Sequence, residues 1–221
     1  MMRTLMILTL ILAFASTAFA TTGIKADFEG GVNDGGWRYG GDVVESEGGN
    51  PGGWLHSMEL NVPYPWLYCD DDAAGWTGDY VTMVVNAFSL DVQTVYTDQN
   101  WFDYYNVLVF IRMTNGTEDL EDDIFVYADP YLYAPPMPED GWVNYTWDIP
   151  TDFVGAPGEL PAGWLGGSYY TGNASFPSDA TWQGVLSNVG RLEVWFLDPD
   201  YASIFSWYEM GADNITLEYE Q

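Results

Sequence analysis

The stretch Gly48-Gly49-Asn50-Pro51-Gly52-Gly53-Trp54-Leu55 decides how the chain is read. Asn-Pro opens turns, and the flanking glycine pairs accept the positive φ values that a β-carbon forbids. An apolar segment, 54–60, leaves this turn directly and reads as a strand. Upstream, Asp27-Phe28-Glu29-Gly30-Gly31 and Gly36-Trp37 supply a preceding strand with its own glycine-rich turn. At the far end Ala212-Asp213-Asn214-Ile215 opens the last strand.

Working outward, segment 80–95 is rich in Val, Phe and Thr without Gly or Pro, and predicts a strand pair or one long bent strand. Segment 106–113 sets Val107, Val109 and Ile111 against Leu108 and Phe110, the pattern of a central strand covered on both faces. A further strand is expected at 123–133, stopped by Pro135-Pro136. Segment 142–149 alternates apolar with polar residues, which leaves one face wet. Residues 150–177 hold Pro150, Pro157, Pro161 and Pro177 among many glycines and predict a long ordered loop or lid. Ser178 is expected to cap a short helix running through Trp182 and Val185-Leu186, followed by strands at 191–197, 204–210 and 212–219. The expected class is all-β, a jelly-roll β-sandwich of galactose-binding-like type with one short helix and long loops.

Residues 1–20 read as a signal peptide: Arg3, then the apolar run Leu5 to Leu12, then the small-x-small ending Ala18-Phe19-Ala20. The expected organisation is a leader over 1–20 and a single β-sandwich domain over 21–221, secreted to the extracellular space or periplasm. No later segment approaches the roughly 20 apolar residues of a membrane span, so no insertion is expected after cleavage. The one cysteine, Cys69, allows no internal disulfide and follows apolar residues, which points to a buried inert thiol.

Charge excludes more than it selects. The chain carries 33 acidic residues against 5 basic ones, a net −28, and Arg3 lies in the leader. Such a surface repels nucleic acid and anionic membranes, and favours divalent cations and neutral partners. Adaptation to high salt, where screening removes self-repulsion, also accounts for many of the carboxylates.

Phe28-Glu29 with Gly36-Trp37, the 49–55 turn, Trp76-Thr77-Gly78-Asp79-Tyr80 and Phe88-Ser89-Leu90-Asp91-Val92 occur in an order that resembles the laminin IV (laminin B) domain of secreted bacterial proteins. Trp182-Gln183-Gly184-Val185-Leu186 and the closing Asp213-Asn214-Ile215 fit the same order. That family is similar to the galactose-binding-like jelly rolls of carbohydrate-binding modules. The resemblance implies no catalytic residues. It implies a structural calcium beside the first and last strands, held by Glu29 and Asp213.

The residues themselves bear on the same positions. Asp213 shares its strand face with Ile215, Leu217 and Tyr219, so an inward carboxylate there needs a cation or amide donors, and a turn-capping role serves equally. The sole histidine, His56, reads as a strand residue, and no Gly-x-Ser-x-Gly elbow occurs, so no enzyme is expected. Among 11 Trp, 16 Tyr and 11 Phe, the rings in polar surroundings stand out: Trp66, Tyr68, Trp76, Trp101 and Tyr104, with Trp164, Tyr169 and Tyr170 foremost as glycan contacts. The function expected from the sequence is a non-catalytic structural or surface-adhesion module. The alternatives are a carbohydrate-binding module for neutral glycans and, third, a polysaccharide-active enzyme. The partner in either binding role is an extracellular glycan or surface component.

Overall fold

The computed structural model describes residues 21–39, 43–58, 60–62, 66–70, 74–97, 108–113, 123–129, 132–168, 176–196 and 206–220. One strand, β13 (Ser206–Glu220), organises the first of two antiparallel sheets. Along one edge it pairs in succession with β5 (Leu60–Val62), β4 (Gly52–His56) and β1 (Thr21–Ala26). Its other edge carries β7 (Val85–Thr97), which in turn pairs β10 (Val143–Asp148). With β3 (Val43–Gly49) on β4, the sheet has seven strands. The second sheet has six, in the order β11 (Trp164–Ser168), β9 (Ile124–Ala128), β8 (Leu108–Met113), β12 (Val189–Trp195), β6 (Trp66–Cys69), β2 (Arg38–Tyr39). The result is the expected all-β sandwich of jelly-roll type, with first and last strands paired from Thr21↔Glu220 to Ala26↔Ile215.

The inward side chains of both sheets form one core, with Leu55, Phe88, Leu90, Val92, Ile215 and Leu217 from the first and Leu67, Val109, Ile111, Val126, Leu192 and Val194 from the second. Aromatic rings fill its wide end. Trp37 meets Trp76 edge-on at 5.2 Å and stacks on Phe88 at 6.0 Å, and Phe88 stacks on Trp147 at 5.9 Å. Cys69 is a buried thiol whose Sγ donates to the Gly35 carbonyl at 3.3 Å, and its burial is as the sequence implied.

Several local expectations change. Segment 80–95 begins not as a strand but as a helical turn, α1 (Tyr80–Met83), because the Asp79 carboxylate accepts from Thr82 N (3.0 Å) and Thr82 Oγ1 (2.6 Å) and so caps it. Among the described residues there are therefore two short α-helices, the second being α2 (Trp182–Leu186). Its cap is Thr181, whose Oγ1 accepts from Gly184 N at 3.0 Å, and not Ser178. The 150–177 segment contains β11, so part of the expected loop is a sheet edge. The two strands expected at 204–210 and 212–219 are one, with register shifts after Glu209, Asp213 and Glu218.

Candidate functional site

Two surfaces hold the sequence's candidates, one outside each sheet. On the six-stranded sheet, alternation sends every second side chain outward. Register aligns them into a straight row across all six strands: Arg38, Tyr68, Glu193, Phe110, Tyr127 and Leu165. A parallel row beside it contains Arg191, Arg112 and Phe125, and on the opposite side Trp66 pairs Trp195.

The rings of this face touch in sequence. Tyr68 stacks on Trp66 (4.8 Å between centroids), Trp66 meets Trp195 (5.8 Å), Trp195 meets Phe110 (5.0 Å), and Phe110 stacks on Tyr127 (4.9 Å). Between them runs an ion-pair network. Arg112 grips Glu193 with Nε and Nη2 at 3.0–3.1 Å, Trp195 Nε1 donates to Glu193 Oε2 at 2.7 Å, and Arg191 Nη1 lies 3.6 Å from Glu193 Oε1. Asp70 is shared by Arg38 (3.0 Å) and Arg191 (3.1 Å), and the Arg191 guanidinium lies 4.5 Å above the Tyr68 ring. Phe110, Arg112 and Glu193 form a buried floor, while Trp66, Tyr68, Phe125, Tyr127 and Trp195 are half-buried around it. Of the four basic residues beyond the leader, the three arginines are all here.

The other surface is the turn that opened the sequence reading. Asn50-Pro51 is a cis peptide at its apex, and Gly48 and Gly52 take φ of 98° and 85°. Close approach matters more than conformation here. A β-carbon on Gly52 would stand 2.1 Å from Glu29 Oε1, one on Gly49 would stand 2.9 Å from Asp213 Oδ2, and one on Gly53 would stand 2.0 Å from the Phe28 carbonyl. Glu29 and Asp213 therefore approach the same turn, Glu29 exposed and Asp213 fully buried.

Asp213 is buried for a reason other than strand parity. The register shift after it, with Asn214 at φ 49°, turns it away from the Ile215 face and sets it opposite Asp91 under the turn. Its oxygens accept from Asn50 N and Asn214 N, both at 2.6 Å. Asp91 accepts from the side-chain amides of Asn50 (3.1 Å), Asn144 (2.8 Å) and Asn214 (2.7 Å). Burial pushes the Asp213 carboxyl up to about 6, against the lowering effect of its two amide donors. Among the described residues no group of three or more His, Cys, Asp or Glu side chains is placed to hold a metal. Oxygens of another kind do line the turn: the Glu29 and Asp213 carboxylates and the carbonyls of Phe28, Glu45 and Gly53 all approach within a β-carbon's reach of its glycines. Such an oxygen cradle suits a hard cation, which takes six to eight oxygen ligands.

Of the expected glycan contacts, Trp164 is displaced by the structure. It lies in β11, only 7% exposed, with its ring edge-on to Trp182 at 4.9 Å, so it belongs to the core and not to an open loop. Tyr169, Tyr170, Trp101 and Tyr104 lie outside the described residues. Trp76 is core. Trp66 and Tyr68, expected in a polar loop, are outward residues of β6, stacked on each other, with Trp66 tilted against Trp195. Trp195, Phe110, Tyr127 and the arginines were passed over, although the Arg191-x-Glu193-x-Trp195 alternation marks a patterned outer face.

No known family's sequence profile matches the chain, and no curated protein matches it in sequence. The likeness to the laminin IV domain thus rests on its motifs alone. Solved structures that resemble it include an exo-β-agarase (12% identity, TM-score 0.49), of which this chain spans 26% while 90% of this chain is covered. A carbohydrate-binding module specific for non-crystalline cellulose, CBM28, is similar at 15% identity and TM-score 0.34, with 87% of this chain and 91% of that one covered. A mannan-recognising module, TmCBM27, is similar at 10% identity and TM-score 0.33, with 91% and 99% covered. The chain thus spans about a quarter of the agarase. Nothing about the ligand is carried over from likenesses this distant.

Proposed function

We propose that the protein is a secreted, non-catalytic module that binds neutral glycans on the outer face of the six-stranded sheet. One observation carries the proposal: rings from β6, β12, β8 and β9 form a continuous platform laced with planar Arg–carboxylate pairs. Sugars lay their apolar C–H faces on flat rings, while the partly exposed Arg38, Arg191 and Asp70 side chains would bond their hydroxyls. Contiguous half-buried rings favour this reading over a purely structural module. Glu193 is held by Arg112 and the Trp195 N–H, and Asp70 by Arg38 and Arg191, which fixes the position of both carboxylates. Each ring contributes on the order of 1 kcal/mol of stacking, so affinity is expected in the micromolar range or weaker.

The cradle at turn 48–53 is proposed as a calcium site with a structural role. Glu29, Asp213 and the neighbouring carbonyls would hold the ion, which would neutralise the buried carboxylate and fasten the turn to β13.

Affinity electrophoresis in agarose, mannan and soluble cellulose derivatives tests the main proposal. The wild type is expected to be retarded by at least one, and a Trp66→Ala/Trp195→Ala variant with an unchanged circular dichroism spectrum to lose about tenfold in affinity. A variant bound as tightly as wild type would remove the platform from consideration.

A further inference from the structure

The opposite face of the sandwich carries a second group of rings and hydrogen-bonding side chains. In the seven-stranded sheet His56 pairs Gly211, which pairs Gln93, and Glu209 pairs Tyr96, so these positions adjoin on the outer face. Gly211 makes a trough: a β-carbon there would stand 2.5 Å from Trp54 and 2.8 Å from Trp142, whose rings lean across it. Trp54 stacks on His56 at 4.4 Å and meets Trp142 edge-on at 5.7 Å. His56 is fixed between Glu209 (2.7 Å from Nε2) and Glu45 (3.4 Å from Nδ1). Beyond Glu209 on the same strand face stands Trp207, 41% exposed, diagonal to Tyr96, 44% exposed.

We infer that this face is a second glycan-contact site, so that one module engages two neutral glycan chains from opposite sides. Tyr96 and Trp207 supply the exposed stacking surfaces, and the fixed His56–Glu209 pair supplies hydroxyl partners between them and the Trp142 edge. Charge selects the occupant. A second copy of this chain would bring Glu45 and Glu209 against their own counterparts in a molecule of net −28, and nucleic acid or an acidic polysaccharide would be repelled more strongly. A neutral sugar is indifferent to that field. The carboxylates already partnered by His56 remain hydrogen-bond acceptors for its hydroxyls.

The inference extends the proposed function to a new surface but does not depend on the platform. The experiment uses four proteins: wild type, the platform variant Trp66→Ala/Trp195→Ala, the second-face variant Tyr96→Ala/Trp207→Ala, and their combination. All are measured by affinity electrophoresis against agarose, mannan and soluble cellulose derivatives, at low salt and at high salt. Melting curves confirm that the exposed Tyr96 and Trp207 substitutions leave the fold intact. The platform variant is expected to retain binding that does not change with salt, and the combined variant to lose it by about tenfold. Wild type is expected to cross-link soluble polysaccharide into a sedimenting network, and each double variant to fail to. Residual binding that survives Tyr96→Ala/Trp207→Ala overturns the inference. So does a platform variant that binds nothing, which leaves the platform as the single site. Residual binding that collapses with salt also overturns it, because contact with an uncharged sugar has no ionic part for salt to screen. If binding is indifferent to the platform substitutions but lost with the second-face ones, the platform proposal fails and this site stands.

Discussion

The two outer faces handle their carboxylates in opposite ways. Outside the six-stranded sheet, Glu193 and Asp70 are met by arginines. Outside the seven-stranded sheet, Asp91 and Asp213 are met by amide donors, with Lys25 near enough only to lower Asp213 partly. In a chain so poor in bases, spending every arginine beyond the leader on one face makes that face electrically self-sufficient and rigid. The difference is that one face meets its carboxylates with charge and the other with neutral donors.

Removing Glu193 breaks this contrast most severely. Glu193→Ala leaves the Arg112 guanidinium buried without its carboxylate, and should cost about 3–5 kcal/mol in urea unfolding. Asp91→Ala on the other face strands only neutral amides and should cost about 1–3 kcal/mol. Equal costs at the two positions would dissolve the distinction between charge-held and amide-held carboxylates. Next in size is Trp164→Ala. A buried ring packed on Trp182 is expected to cost roughly 3 kcal/mol or more while leaving glycan affinity unaltered, and a loss of affinity with full stability would return Trp164 to the binding surface.

The smallest effect sharpens the metal side. At fixed high ionic strength, calcium at a hundredfold excess over its Kd should stabilise the wild type by about 2.7 kcal/mol, and EGTA should reverse it. Asp213→Asn should abolish the response. The pH dependence follows from the raised carboxyl. Without calcium, ionising Asp213 opposes the native state, so its contribution to stability falls as pH rises from about 4 to about 6 and is level above. Calcium, which binds the ionised form, should stabilise most above that window. A melting temperature unmoved by EGTA at pH 7 would show that amide donors alone hold the turn.

The sandwich was legible because its strands are written in period-two alternation, as at 142–149, where Tyr145 and Trp147 are buried and Asn144 and Thr146 are not. Local capping overrode strand propensity at Tyr80, where one Asp–Thr pair three residues apart was enough to start a helix. At Asp213 the period-two rule failed outright, because a bulge with Asn214 in the left-handed region reverses which face follows.

Composition and alternation by themselves determined an acidic all-β chain and the inward residues of most strands. Both are local properties, readable because each residue's neighbours along the chain fix its side of the sheet. Which outward side chains become neighbours was decided only by strand order and register. Tyr68, Glu193, Phe110 and Tyr127 come from four separate segments, and nothing local to any of them specifies that β12 inserts between β6 and β8. Pairing of that kind is settled by burying the opposite faces in one core. The platform is the outer surface that this packing leaves behind.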